Sequence, residues 1–300
     1  MLLHDLNQKN LIHPPKWLPT NTHYLAIVGS ESYGANLVGS SDQDLQGFCI
    51  PPKEDIFPHL KGEIPGFGRQ HQRFGDWQQH HVKDTAGKEY DFCVYSIVRF
   101  FHLAMENNPN ILDIICVPNN CIKHITDVGR MVRDNRRIFF HAGCFSKFRG
   151  YASAQMAKIF SGANRSNPKR AETIEKYGFD TKFLMHVIRL ALECEQILLT
   201  GDLDLKRDSQ FLLSVRRGEM TIEDGKKWWA SKERDLESAY ANCKAVPMVP
   251  DEEKIKALLL QCLEQHYGSL EQAIYTGVDL NGVVNALQAI IVKLQAQQQG

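Results

Sequence analysis

Asp42 and Asp44, separated by a single residue, are the first pair in this 300-residue chain whose types and spacing could do chemistry. On a β-strand, side chains at i and i+2 share a face, so both carboxylates point the same way. Unpaired carboxylates so placed repel each other, and a hard divalent cation between them relieves the repulsion. Mg²⁺ suits such a pair because it prefers carboxylate oxygens and brings substrate phosphates with it, with Mn²⁺ as the alternative. Taken alone, the pair also fits a Ser41-Asp42 turn cap followed by a solvated strand residue. About a dozen residues upstream, Gly29-Ser30 closes the apolar run Leu25 to Val28. A glycine lets the backbone come close to a ligand, and free N–H groups at a helix start suit an anionic phosphate. Ser30 is the expected N-cap of the segment beginning at Glu31.

A second group is basic. Lys182, His186, Arg189 and Glu193 recur at spacings of four, three and four, while Phe183, Val187, Leu190 and Ile197 follow a parallel stripe. This pattern places the charged residues on one face of a helix and the apolar ones on another. Three basic groups in one stripe suit a triphosphate or an acceptor phosphate, with salt bridges to Glu193 and its neighbours as the alternative. Gly178 marks the break before this helix, and Asp180 or Thr181 is its N-cap. Lys147, Tyr151, Ala154 and Lys158 form another helical stripe, with Arg149 and the loop Asn164 to Arg170 adding positive charge. That cluster reads either as a phosphate-tracking surface or as a solvated helix face.

The elements that must position these groups follow from periodicity. Strands are expected at Leu25 to Val28, across Asp42 to Ile50, and at Glu89 to Tyr95. A helix with Ile97, Phe100, Phe101 and Ala104 on one face spans Ser96 to Met105 and ends near Asn107-Asn108-Pro109. Asp113, in the apolar-acidic segment that follows, reads as structural. Met1 to Thr22 reads as an extended lead-in because of Pro14, Pro15 and Pro19, and Ile56 to Lys88 is poorly periodic. His59, His71, His80 and His81 in that stretch are irregularly spaced and lack a cysteine partner, so a structural or solvated role is favoured over metal ligation. From His141 onward the pattern is helical, which puts a domain boundary near Asn135 to Phe140 and gives domains of 1–138 and 139–300. Further helices are expected over Ser209 to Arg216, Thr221 to Asn242, Asp251 to His266 and Leu280 to Gln298. Trp228-Trp229 reads as core or groove lining, and Gln295 to Gln299 as a frayed tail.

Composition narrows the class. The chain is 43% apolar and 23% charged with eight cysteines, and its formal net charge is zero. That balance is typical of a globular protein and gives no global pull towards nucleic acid or an anionic membrane. No apolar run is long enough to span a bilayer, and Met1 to Thr20 lacks a signal-peptide core, so a cytoplasmic protein is expected. No Cys-x-x-Cys pair occurs. Reduced, mostly buried thiols are expected, and zinc is not.

Gly29-Ser30, Tyr33-Gly34 and Ser41-Asp42-Gln43-Asp44-Leu45-Gln46-Gly47 resemble the active-site signature of the polymerase-beta nucleotidyltransferase superfamily. The longer string is most similar to the RNA-ligase-associated branch, RlaP. Lys176-Tyr177-Gly178-Phe179-Asp180-Thr181-Lys182, followed by His186 and Arg189, resembles a second block of the same family. The resemblance implies a third acidic residue on a neighbouring strand. Asp91 is the matching position, and Glu89, on the same strand face, competes with it. Asp91 is preferred because the apolar helix follows it directly. The resemblance also implies that Gly29, Ser30 and Tyr33 contact the nucleotide, and that Lys176, Lys182, His186 and Arg189 line a cleft opposite the aspartates. The implied fold is α+β: an N-terminal nucleotidyltransferase domain with a small mixed sheet and a C-terminal helical domain. The implied activity is transfer of a nucleoside monophosphate from a nucleoside triphosphate to a hydroxyl, with Asp42, Asp44 and Asp91 holding two Mg²⁺ ions. An RNA 3′ end is the implied acceptor, in repair or tailing. Protein nucleotidylation and a non-catalytic nucleotide or RNA binder are the alternatives.

Overall fold

A computed structural model of the chain describes residues 1–37, 42–64, 66–68, 72–160 and 168–268. The chain begins with α1 (Leu2–Gln8), α2 (Leu18–Asn21), β1 (Thr22–Ile27), α3 (Ser30–Tyr33), β2 (Asp42–Cys49) and α4 (Lys53–Ile56). It continues through β3 (Asp76–Lys83), β4 (Glu89–Ser96), α5 (Ile97–Met105), α6 (Pro109–Cys116), β5 (Ile122–Ile125) and α7 (Asp127–Asp134). Helices then follow as α8 (Cys144–Phe160), α9 (Pro168–Tyr177), α10 (Thr181–Thr200), α11 (Ser209–Arg216), α12 (Ile222–Ala241) and α13 (Glu252–Tyr267). The helix expected over 280–298, the Gln-rich end, His71 and residues 164–167 lie outside the described residues.

The five strands form one mixed sheet in the order β3-β4-β2-β1-β5. β1 is buried along its whole length, which its apolar and aromatic residues permit. It runs antiparallel to β2 and to β5. A β-carbon at Gly47 would run into the Tyr24 carbonyl oxygen, so glycine there lets β1 and β2 approach. β2 pairs in parallel with β4, with Asp42 opposite Glu89 and Asp44 opposite Asp91. β2 begins polar and exposed and ends buried. Its Asp42 end therefore opens to solvent while Phe48 and Cys49 anchor it. Tyr24 and Phe48 stack at 5.9 Å, and Phe48 packs on Phe100 of α5 at 4.9 Å.

Two expectations for the first hundred residues are corrected. The lead-in contains α1, because Leu3 and Leu6 fall on one buried helix face. The stretch before Lys88 contains β3, an edge strand too polar to show alternation. Its pairing with β4 supplies what its own sequence does not, and the ladder bulges between Gln79 and Val82. His81 in that bulge has φ 56°, a left-handed conformation that His tolerates better than most residues.

α5 is capped by Ser96, which accepts from Arg99 N–H, and α10 by Asp180, which accepts from Lys182 N–H at 2.9 Å. Gly201 ends α10 with φ 68°. Among the described residues, packing groups those within 1–51 and 74–262 in one unit and those within 52–73 with 263–268 in another. The fold is mixed α+β as expected, but the division differs from 1–138 and 139–300. Ties across residue 139 explain the difference: Asn107 Nδ2 donates to the Phe139 carbonyl at 2.7 Å, and Arg136 and Arg137 both grip Asp202. Within the second unit, Phe57 lies 6.5 Å from Tyr267, and His59 Nδ1 meets the Glu63 carbonyl at 2.7 Å. Seven cysteines are buried and Cys243 is half-buried, all of them free thiols. Among the described residues, no helix is long and apolar enough to cross a membrane.

Candidate active site

The turn after β1 is shaped by two glycines. Gly29 has φ 75° and Gly34 φ 70°, both left-handed, and between them lies the single turn of α3. Gly29 itself takes the N-cap position, so Ser30 is the first helical residue and not the expected cap. The Ser30 hydroxyl bonds the Asn36 side chain instead, and Ser32 Oγ donates to the Gly29 carbonyl at 2.8 Å. Val28 N–H donates to the Asp44 carbonyl at 2.9 Å, which fastens this turn to β2. A β-carbon on Gly29 would stand 3.0 Å from Asp44 Oδ2. The absent side chain is therefore what lets the Asp44 carboxylate lie over the turn.

Asp44 is exposed at the open end of β2, yet its carboxyl is raised above the ordinary carboxylate range. Partial burial of the carboxyl by surrounding protein is the main cause. Lys182 opposes it, Asp91 and Asp42 add to it, and His80 again opposes. Asp91 is held from the edge strand: its Oδ1 accepts from His81 N–H at 2.7 Å and lies 3.6 Å from His80 Nδ1. Glu89 meets His81 Nδ1 at 2.7 Å and Lys83 at 4.0 Å. The bulge on β3 thus engages both acids of β4, and Asp91 is the one whose charge reaches Asp44.

A pocket of about 240 Å³ opens beside this turn. Val28, Gly29, Ser30 and Tyr33 form one wall, and Asp44 and Gln46 of β2 another. Asn110 and Asp113 of α6 and Lys182, His186 and Arg189 of α10 close the third. Lys182 and His186 are the two residues in Thr181–Leu190 that are not buried, so the stripe they form faces the opening. Of the residues singled out in the sequence, Gly29, Ser30, Tyr33, Asp44, Lys182, His186 and Arg189 meet in this wall. Asp42 and Asp91 flank Asp44 on the sheet and are not part of it. Lys176 is exposed near the end of α9, 5.0 Å from the Tyr177 ring, and does not line the pocket. Gln46 and Asn110 were not singled out. Gln46 follows Asp42 and Asp44 in the strand's period of two, which is a signal for it, whereas Asn110 reaches the wall only through tertiary packing.

Arg189 lines the pocket and also makes the salt bridge to Glu193 that its helical spacing offered as the alternative to phosphate binding. Its Nη1 donates to Asp113 Oδ2 and to Glu193 Oε1 and Oε2 at 3.0 and 2.9 Å, and its guanidinium lies 4.5 Å over the Tyr33 ring. Tyr33 OH donates to the same Asp113 oxygen at 2.7 Å. Burial pushes the Asp113 carboxyl up and the Glu193 carboxyl well up, against the pull of Arg189. Burial also works against the charge of Arg189, but Glu193, Tyr33 and Asp113 outweigh it and keep the guanidinium protonated. Asp113 Oδ1 and Arg189 Nε are buried with no hydrogen-bond partner among the described residues. Such atoms cost about 1–3 kcal/mol each when left unpaired.

The second basic stripe is drawn into contacts within the protein. Lys147 pairs with Glu106 at 2.8 Å, Arg149 with Glu233 at 2.7 Å, Tyr151 OH accepts from Asn108, and Lys158 lies 5.8 Å from the Phe183 ring. Trp228 is half-buried and packs with Phe211 and Lys232.

Among the described residues, no three His, Cys, Asp or Glu side chains converge closely enough to enclose one ion, and Asp91 is turned towards the β3 bulge. The donor chemistry nevertheless fits a hard cation. Asp42, Asp44 and Asp91 offer only oxygens on adjacent strands, and to the burial that mainly raises the Asp44 carboxyl Asp91 and Asp42 add a smaller repulsion that a divalent ion would relieve.

A stretch of 134 residues is 28% identical to an uncharacterized 38.9 kDa protein in the nrdC-mobD intergenic region of Enterobacteria phage T4, and covers 43% of this chain. The matched stretch spans 36% of that phage protein's length. No solved structure matches. Residues 4–261 match the model of the RNA repair pathway DNA polymerase beta family, RlaP, and the chain accordingly belongs to this family of polymerase-beta-like nucleotidyltransferases.

Proposed function

We propose that the protein is a Mg²⁺-dependent nucleotidyltransferase that moves a nucleoside monophosphate from a nucleoside triphosphate to the 3′-hydroxyl of RNA, releasing pyrophosphate. The observation that carries this reading is the meeting, in one pocket, of the Gly29-Ser30 turn, the Asp44 carboxylate and the cationic side of α10. The RNA repair description of the family supports the choice of acceptor.

Asp42, Asp44 and Asp91 would hold Mg²⁺, which when bound neutralises the triphosphate and acidifies the attacking hydroxyl. Gly29 and Ser30 border the β- and γ-phosphates, where a missing side chain permits close backbone approach. The RNA oxygen bonds to the α-phosphorus as the bond from that phosphorus to the bridging oxygen breaks. Asp91 takes the hydroxyl proton, and Lys182 and His186 stabilise the negative charge that gathers on the departing pyrophosphate. Most of the rate enhancement is positioning and electrostatics, and no covalent intermediate is needed. The pocket is smaller than the roughly 300 Å³ of a typical small-molecule site, which suits a polyphosphate with its nucleoside reaching beyond the wall.

The test is incubation of the protein with each α-labelled nucleoside triphosphate, Mg²⁺ and a short 3′-hydroxyl RNA, beside Asp44→Ala. Label added to the RNA by the wild type alone is the expected result and reveals the base preference. If the nucleotide binds but no RNA lengthens, the RNA acceptor is wrong, and label on a protein would establish nucleotidylation in its place.

A further inference from the structure

Tyr33, Asp113, Arg189 and Glu193 come from α3, α6 and α10 and are buried together at the edge of the pocket. Asp113 Oδ2 is the meeting point, accepting from both Tyr33 OH and Arg189 Nη1, while Arg189 also binds both Glu193 oxygens and covers the Tyr33 ring. As space-filling, this group is a poor choice. Well-packed apolar side chains of similar volume are commonly as stable as a buried ionic cluster, and here two polar atoms lack partners among the described residues. What charged hydrogen bonds add is direction: they fix distance and angle where apolar contacts can slide.

The elements so fixed are informative. Tyr33 closes the single helical turn that begins at Ser30, and Arg189 lies three residues after His186 and seven after Lys182 on α10. The geometry points to these four residues as a positioning clamp, which holds the Gly29-Ser30 turn at a set distance from Lys182 and His186. The functional part of this inference rests on reading the pocket as a triphosphate site. It moves Tyr33 and Arg189 from ligand contact to positioning, because Tyr33 OH and Arg189 Nη1 are engaged within the clamp.

Arg189→Ala would strand two buried carboxylates and could unfold the protein. Tyr33→Phe is the better probe, since it deletes one hydroxyl and keeps the ring under the guanidinium. Leu258→Ala, at a buried position on α13 outside the pocket wall, serves as a destabilised control. Two readouts on the full chain are compared: amide hydrogen exchange of Gly29–Ala35 without ligand, and affinity for ATP with Mg²⁺ by calorimetry. Tyr33→Phe is expected to speed exchange in that turn about fivefold and weaken ATP about tenfold, while Leu258→Ala lowers Tm and changes neither by more than about twofold. Unchanged exchange in Tyr33→Phe overturns the clamp whether or not ATP binds. Faster exchange with unchanged ATP affinity overturns its link to the ligand. Faster exchange in a protein whose wild type binds no ATP supports the clamp and removes the triphosphate reading instead.

Discussion

A side chain at position 29 would meet two obstacles. The backbone there is left-handed, and a β-carbon would crowd Asp44 Oδ2 at 3.0 Å. With ψ −150° beside its positive φ, this backbone is close to one that only glycine adopts, so Gly29→Ala is expected to cost about 1–3 kcal/mol in stability from the backbone alone. It should also reduce nucleotide transfer about 100-fold by displacing Asp44, a loss that steady-state rates measured below Tm would separate from unfolding. Lys182→Ala removes the cation that tempers Asp44 and faces the pocket opening. Transfer should fall by about 100- to 1000-fold with Tm nearly unchanged, and a single-turnover assay checks this. At this scale the sequence was informative wherever a local rule applied. The period of a strand puts Asp42 and Asp44 on one face, and the period of a helix aligns Lys182 with His186. Local rules could not show that Arg189, on the same stripe, is claimed by Asp113 more than seventy residues away. Nor could they show that Ser30 would bond Asn36 and leave the N-cap to Gly29.

The elements explain which predictions from periodicity succeed. Strands β1, β2 and β4 and helices α5, α10 and α11 carry enough apolar pattern to be found, because each buries a run or a face of apolar side chains. β3 was missed because Gln78, Gln79, His80 and His81 give an edge strand little to bury, and tertiary pairing with β4 decides its state. Asp202 shows how elements are fastened together. Burial works against its charge, but hydrogen bonds from Arg137 and the Leu203 N–H, with the charges of Arg136 and Arg137, hold its carboxyl below the ordinary range. A lowered folded pKa makes the contribution full above the unfolded carboxylate value of about 4 and removes it as pH falls through the folded value. Asp202→Asn should therefore lower stability by about 1–3 kcal/mol at pH 7, with the difference shrinking in acid. Thermal melts of both proteins between neutral pH and pH about 2 would show this convergence, and a gap that is constant with pH would contradict the assignment.

For the molecule as a whole, the helices after residue 139 belong to the same packed unit as the sheet up to residue 262. That arrangement brings α10 to the turn after β1, and neither the change of pattern near residue 139 nor composition revealed it. A ligand that recognises the assembled pocket must stabilise the folded chain. ATP with Mg²⁺ at about 100 times its Kd should add about 2.7 kcal/mol, seen as a rise in Tm that Asp42→Ala/Asp44→Ala abolishes. The measurement that tests the central claim most directly is pyrophosphate release, with RNA extension followed in the same reaction, for the wild type and that double variant in Mg²⁺, a nucleoside triphosphate and 3′-hydroxyl RNA. The expected result is one pyrophosphate per nucleotide added by the wild type, and a loss of about 1000-fold or more in a double variant that remains folded. Equal rates in the two proteins would contradict the account.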